Sequence, residues 1–272
     1  MMTVDTSKCI GCGKCASDCF PNDIEITNKK AKINNVTCIK CGHCIAVCPV
    51  NAISTDDYDM ADVKEYEKDS FTIEPERLLN FIQFRRSVRQ FKDMPVEREK
   101  LMKIIEAGRF TQTGINMQDV SYTVVTEHIE ELTVLVLNTL KAMGEHILST
   151  EKENQRLLHY ANLWTGMAKA YETNKVEGDK LFFHAPSVII VSATSNINGA
   201  LAASNMELMA NALGLGTYFS GFFAAAGEKS EAIKNFIHLQ EGKQIICCMV
   251  IGYPDITYRR TVPRKSADIS WE

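Results

Sequence analysis

Eight of the ten cysteines in this chain fall between Cys9 and Cys48. Cys9, Cys12 and Cys15 are each separated by two residues, and Cys19 follows after three more. Cys38, Cys41, Cys44 and Cys48 repeat that pattern 29 residues later. Soft thiolates at this spacing suit an iron–sulfur cube. Three of them wrap one cluster, and the fourth is carried too far round and ligates the other. The spacing predicts two [4Fe-4S] clusters, one on Cys9, Cys12, Cys15 and Cys48, the other on Cys38, Cys41, Cys44 and Cys19. Gly11, Gly13 and Gly42 would let main-chain N–H groups point at the sulfurs. Zinc also uses C-x2-C pairs, but it needs neither a third cysteine at the same spacing nor a fourth close behind, twice over.

A second group able to do chemistry is Arg85, Arg86, Ser87 and Arg89. Three guanidinium groups and a hydroxyl could clamp a phosphate through bidentate, charge-assisted bonds. On composition alone a solvated basic turn is the stronger reading. The last two cysteines, Cys247 and Cys248, are adjacent inside an apolar run and read as small hydrophobes of a buried strand.

Two resemblances alter the second reading and extend the first. The cysteine runs resemble bacterial two-cluster ferredoxins, with one residue inserted before the first proline: Cys19-Phe20-Pro21 against Cys48-Pro49. The stretch Arg85–Phe91 looks like the opening motif of the nitroreductase family of FMN-dependent flavoenzymes. Three further stretches follow that family in order: Thr111–Gln118, Asn211–Gly221, and Gly252-Tyr253-Pro254 with Arg264 beyond Pro263. The resemblance spans 77–265. It implies an α+β fold, a nitroreductase-like FMN-binding sandwich preceded by a small ferredoxin-like two-cluster domain. It also implies a homodimer with FMN at the interface. Arg85, Ser87 and Arg89 would touch the ribityl chain, phosphate and pyrimidine edge, with Arg86 beside them. Asn116 would bond the isoalloxazine edge, the backbone at Ser220 and Gly221 would lie near flavin N5, and Arg264 would reach the phosphate. Thr111-Gln112-Thr113 stands where the family usually has Pro and Ser, Asp119 follows Gln118 in place of Pro-Trp, and Ser220 replaces an acidic residue of some members. These departures bear on substrate class more than on FMN.

The elements that must position these groups divide at composition shifts. Residues 1–55 hold the cysteine repeat and 56–76 form an acidic linker or solvated surface helix. Residues 77–272 are mixed helix and strand. Helices are expected over 77–84, 95–109, 130–149, 156–173, 198–213 and 230–236, and strands over 121–126, 184–193 and 244–251. The net charge of -4 gives no nucleic-acid footprint. No apolar run approaches the ~20 residues of a membrane-spanning helix. The cysteine distribution and the lack of a signal peptide point to a reducing, cytoplasmic setting.

The expected function is an FMN- and iron–sulfur-dependent oxidoreductase, passing electrons between clusters, flavin and a small nitroaromatic or quinone-like acceptor. NAD(P)H, an external ferredoxin or another one-electron donor would supply them. No G-x-G-x-x-G follows a strand, so a nicotinamide would stack transiently on the flavin. No side chain is assigned as a catalytic acid or base. The alternatives are a non-catalytic electron relay within a larger redox system, or another flavin-dependent reduction such as dehalogenation.

Overall fold

The structure is a computed structural model describing Met1–Glu272. It divides into two compact units. The first comprises Met1–Ile73 and Thr113–Met117, the second Glu74–Gln112 and Gln118–Glu272.

The first unit is assembled from very short elements: β1 (Met2–Val4), α1 (Lys14–Ser17), β2 (Ile24–Thr27), β3 (Lys30–Ile33), α2 (His43–Ala46), β4 (Ile53–Thr55) and α3 (Lys68–Phe71). β1 pairs antiparallel with β4, and β2 with β3. The sequence repeat is visible in the backbone. Gly13 and Gly42 precede α1 and α2 at φ +77° and +76°, a left-handed geometry that glycine adopts without a Cβ clash. The acidic stretch makes side-chain contacts with the cysteine-bearing part. Asp57 pairs with Lys40 at 2.6 Å and Asn51 donates to Glu65 at 3.1 Å, and the stretch groups with the first unit up to Ile73. Thr113–Met117 also groups with this unit, which sequence distance could not have shown.

The second unit contains α4 (Pro75–Phe84), α5 (Arg98–Arg109), β5 (Ser121–Val125), α6 (Ile129–Thr150), α7 (Gln155–Thr173), α8 (Lys175–Gly178), β6 (Ser187–Ala193), α9 (Asn196–Ala212), β7 (Gly216–Phe219), α10 (Gly221–Lys229), α11 (Glu231–Phe236) and β8 (Gln244–Gly252). The sheet order is β5-β6-β8-β7, antiparallel throughout. Every residue of β6 is buried, which explains its continuous apolar run. Alternate side chains of a strand point to opposite faces. Val188, Ile190, Cys248 and Val250 accordingly pack with α6, α7, α10 and α11. Ile189, Val191, Met249 and Ile251 pack with α5 and α9. Full burial of one such side chain contributes about 1.5–3 kcal/mol. Cys248 is fully buried opposite Ile190 and behaves as a small hydrophobe. No helix is long and apolar enough to cross a membrane.

Local chemistry moves several element ends. The helix expected from Pro95 starts at Arg98, because Glu97 is its extended N-cap. The strand expected from His184 starts at Ser187, because Phe183 and His184 both have φ near +56°. β7 and α10 lie where neither a strand nor a helix was expected.

Asp119 anchors the start of α9. Its carboxylate accepts from Thr194 N and Ser195 N at 3.0 Å, from the Thr194 hydroxyl, and from Asn198 Nδ2 at 2.7 Å. Burial opposes ionisation, but the bonds from Thr194, Asn198 and Ser195 outweigh it and bring the carboxyl to about 2. A depressed carboxyl stabilises the fold fully above its unfolded value near 3.8, and loses that effect as pH falls through about 2. Asp119→Ala should therefore cost about 2 kcal/mol at pH 7, with the gap to wild type closing on acidification between those values. Urea unfolding followed by fluorescence of Trp164, buried in the core formed by α6, α7, α10 and α11, measures it. A gap independent of pH would count against the assignment.

Candidate functional site

Two small cavities of equal size lie in the first unit, about 20 Å³ each. Cys9, Cys12, Cys15 and Cys48 line one; Cys19, Cys38, Cys41 and Cys44 line the other. Main-chain N–H groups point at the sulfurs: Ala31 at Cys9, Asp23 at Cys19 and Lys40 at Cys38, all 3.4 Å, and Ala52 at Cys48, 3.2 Å. The N–H of Ala31, then that of Gly11, lowers the Cys9 thiol. Burial raises Cys15, with Cys12 and Cys48 as like-charged neighbours. Burial also pushes Cys44 up to about 11 against an opposing N–H from Ile45, with Cys38 and Cys41 adding to the effect. Thiols so placed release protons when a metal centre binds them. Nowhere do three His, Cys, Asp or Glu side chains converge as they would on a single ion. Four thiols spread around a cavity fit a four-iron cube better than zinc.

The arginine motif lies in the second unit, held between two strand ends. Ser87 bridges to Thr217 in parallel fashion, and Val88 N donates to Thr217 O at 2.8 Å. Phe91 bridges to Pro254, and Asp255 N donates to Gln90 O at 2.8 Å. The motif thus runs along β7, whose next residues are Ser220 and Gly221. A Cβ at Gly216 would stand 2.6 Å from the nearest side-chain carbon of Val88, so glycine there lets the motif approach the sheet. The Arg89 guanidinium stacks 4.7 Å over the Tyr218 ring. The Tyr258 hydroxyl donates to Ser87 O at 3.2 Å. Arg86 is half-buried beside them.

Arg85 and Arg264 line one open cleft of about 420 Å³ with Ile82, Gln83, Thr261 and Val262. Nη1 of Arg85 lies 2.9 Å from both carboxylate oxygens of Glu207. That leaves the Nε and Nη2 donors of Arg85 for an anion, and two guanidinium groups in one cleft fit a phosphate. Ser220 is buried and its hydroxyl caps α10, accepting from Phe223 N at 3.3 Å. Gly221 opens that helix, where main-chain N–H groups lack intrahelical partners. Asn116 belongs with the first unit. Its Nδ2 donates to Ile39 O at 3.0 Å and Lys40 O at 2.9 Å, so that nitrogen is already engaged by main chain.

Two features escaped the sequence reading. Glu207 is the lone acid in the apolar stretch of α9, a signal that could have marked it as paired. Tyr218 beneath Arg89 had no such signal until β7 was recognised as a strand.

Comparison with known proteins fits this geometry. Residues 82–253 match the profile of the nitroreductase family, and residues 8–52 that of the 4Fe-4S dicluster domain. A 4-nitrobenzoate reductase of Pseudomonas putida is 27% identical over 192 residues, 63% of this chain and 82% of that protein. A BluB-like flavoprotein from Clostridium difficile has the same fold, with TM-score 0.55 and 18% identity over 71% of this chain and 99% of its own. So does a nitroreductase with bound FMN from Bacteroides fragilis, with TM-score 0.52 and 20% identity over 71% and 98%. With a 4Fe-4S dicluster domain ahead of the matched region, this chain belongs to the nitroreductase family.

Proposed function

We propose that the protein is an FMN- and iron–sulfur-dependent oxidoreductase that passes electrons between two [4Fe-4S] clusters, a flavin and a small nitroaromatic or quinone-like acceptor. The observation that carries this reading is the presence of two four-thiol cavities in the same chain as a nitroreductase-family domain with an arginine-lined cleft. The 4-nitrobenzoate reductase relative supports the acceptor class. Clusters pass single electrons and flavin exchanges one or two, so together they join one-electron donors to hydride-type chemistry.

The chain's own residues supply binding and orientation. Cys9, Cys12, Cys15 and Cys48 hold one cluster, and Cys19, Cys38, Cys41 and Cys44 the other. Arg85 and Arg264 take the FMN phosphate. Ser87 and Arg89 orient the ribityl and pyrimidine parts, with Tyr218 fixing the Arg89 guanidinium by cation–π stacking. The N–H groups at the start of α10 serve the flavin N5 region. The protein acts as a homodimer in the cytoplasm, drawing electrons from NAD(P)H or a reduced ferredoxin.

Anaerobic rapid mixing of the intact protein with a low-potential one-electron donor tests the relay. Cluster bleaching should precede flavin reduction, and removal of one cluster by Cys→Ala substitution should slow flavin reduction strongly. Direct reduction by NAD(P)H should persist in that variant. Equal flavin reduction rates with and without clusters would leave the relay unsupported.

A further inference from the structure

The two halves of the cysteine repeat differ in one buried charge. Four residues after Cys19 stands Asp23; four residues after Cys48 stands Ala52. The two positions do the same main-chain work, each N–H donating to the sulfur of its own cysteine, at 3.4 and 3.2 Å. Both are buried, with 4% and 3% exposure. Asp23 lines the cavity of Cys19, Cys38, Cys41 and Cys44, and Ala52 the cavity of Cys9, Cys12, Cys15 and Cys48. With the N–H bonds matched, what distinguishes the two repeat positions is the carboxylate of Asp23.

That carboxylate is held in place from one side only. Oδ1 accepts from Val36 N at 3.1 Å, Thr37 N at 3.0 Å and the Thr37 hydroxyl at 3.2 Å. Oδ2 is buried with no hydrogen-bond partner. The bonds to the Asp23 carboxylate come from Val36 and Thr37, none from a cation. Of the basic groups near its cavity, Lys40 is matched by Asp57 at 2.6 Å and His43 faces Asp18 at 3.3 Å. The other cavity is biased the opposite way. Lys14 lines it, and the Lys30 ammonium donates to the main-chain oxygen of Cys9.

We propose that Asp23 makes the two clusters unequal, lowering the reduction potential of the one on Cys19, Cys38, Cys41 and Cys44, so that a single electron entering the pair rests on the one on Cys9, Cys12, Cys15 and Cys48. This rests on the two-cluster reading above. Each reduction takes one electron from a one-electron donor, adds one negative charge to the cube, and breaks no bond. A fixed buried anion opposes that added charge, and local charge is among the factors that set such potentials. Asp23 is thus a tuning residue, and the electron's resting place is decided by an Asp–Ala difference within a repeat.

The test uses the full chain, reconstituted anaerobically and carrying about eight irons. Fewer irons would fail the two-cluster reading itself, which keeps the two failures apart. Redox titration followed by electron paramagnetic resonance should give two separate one-electron steps. Asp23→Asn keeps an acceptor at Oδ1 and removes the charge. It should raise the lower step about tenfold in equilibrium constant, which is 59 mV for one electron, and leave the upper step within about twofold. Eight irons with coincident steps in wild type, or no displacement in Asp23→Asn, would overturn the inference. Should that variant load poorly, paramagnetic NMR of singly reduced wild type decides. The reduced-cluster pattern belongs on the β-protons of Cys9, Cys12 and Cys15, and its appearance on Cys38, Cys41 and Cys44 would refute the assignment.

Discussion

Replacing Cys19 with alanine should empty the cavity of Cys38, Cys41 and Cys44, and iron should fall from about eight to about four per chain. The loss should spare Cys9, Cys12 and Cys15, although these are the cysteines nearest to Cys19 in sequence. The reason is the crossed lining of the cavities, with Cys19 in one and Cys48 in the other. Alkylation of the purified variant, mapped by mass spectrometry, reads the outcome site by site. Cys38, Cys41 and Cys44 should become reactive while Cys9, Cys12, Cys15 and Cys48 stay protected. Protection lost at the second set instead would reverse the assignment. The structural effect should also be large. The first unit has strands of three or four residues and helices of four. Its buried core is a cluster of Cys9, Cys15, Ala31, Ala52 and Ile53 with partly buried neighbours, and Met2 besides. So small a core cannot offset chain entropy alone, and metal binding in such domains supplies folding free energy. Hydrogen exchange should therefore speed up across the first unit of the variant, with the β6 and β8 amides of the second unit unchanged.

Arg85→Ala should weaken FMN binding by about one to two decades, because a charge-assisted bond contributes about 1.5–3 kcal/mol. The same substitution has a second consequence. Glu207 is buried, and Arg85 is its partner at 2.9 Å. Removing one member of a buried pair leaves an uncompensated charge. Since the Arg85 side chain is 38% exposed, solvent reduces that penalty to about 1 kcal/mol. The two effects separate in a double variant. Adding Glu207→Gln to Arg85→Ala should restore the lost melting temperature of the flavin-free protein but not its FMN affinity. Arg264→Ala, on the other side of the cleft, should weaken FMN without destabilising the flavin-free fold. Full flavin retention through dialysis in both Arg85→Ala and Arg264→Ala would remove the cleft as the phosphate site. Recovery of affinity in the double variant would mean that Arg85 acts only as a structural partner of Glu207.

The sequence by itself determined what short covalent spacing or strand burial dictates. Three thiols of each cavity lie within seven residues of chain, so their grouping is written in the C-x2-C spacing. β6 and β8 were legible because a strand segment covered on both faces is a continuous apolar run, Val188–Val191 in one and Ile245–Ile251 in the other, and α6 and α7 because their apolar periodicity is long. The tertiary structure decided the rest, because those contacts join segments that no local pattern relates. Glu207 meets Arg85 across 122 residues. β7 is a strand only because β8 and the arginine motif lie on either side of it; four residues opening on glycine carry too little propensity to announce themselves. Asn116, read as a flavin ligand from its motif, has its amide nitrogen on Ile39 and Lys40. Asp23 looks in sequence like any turn aspartate. Only the folding of the second half of the repeat against the first buries it beside one set of thiols and leaves alanine beside the other.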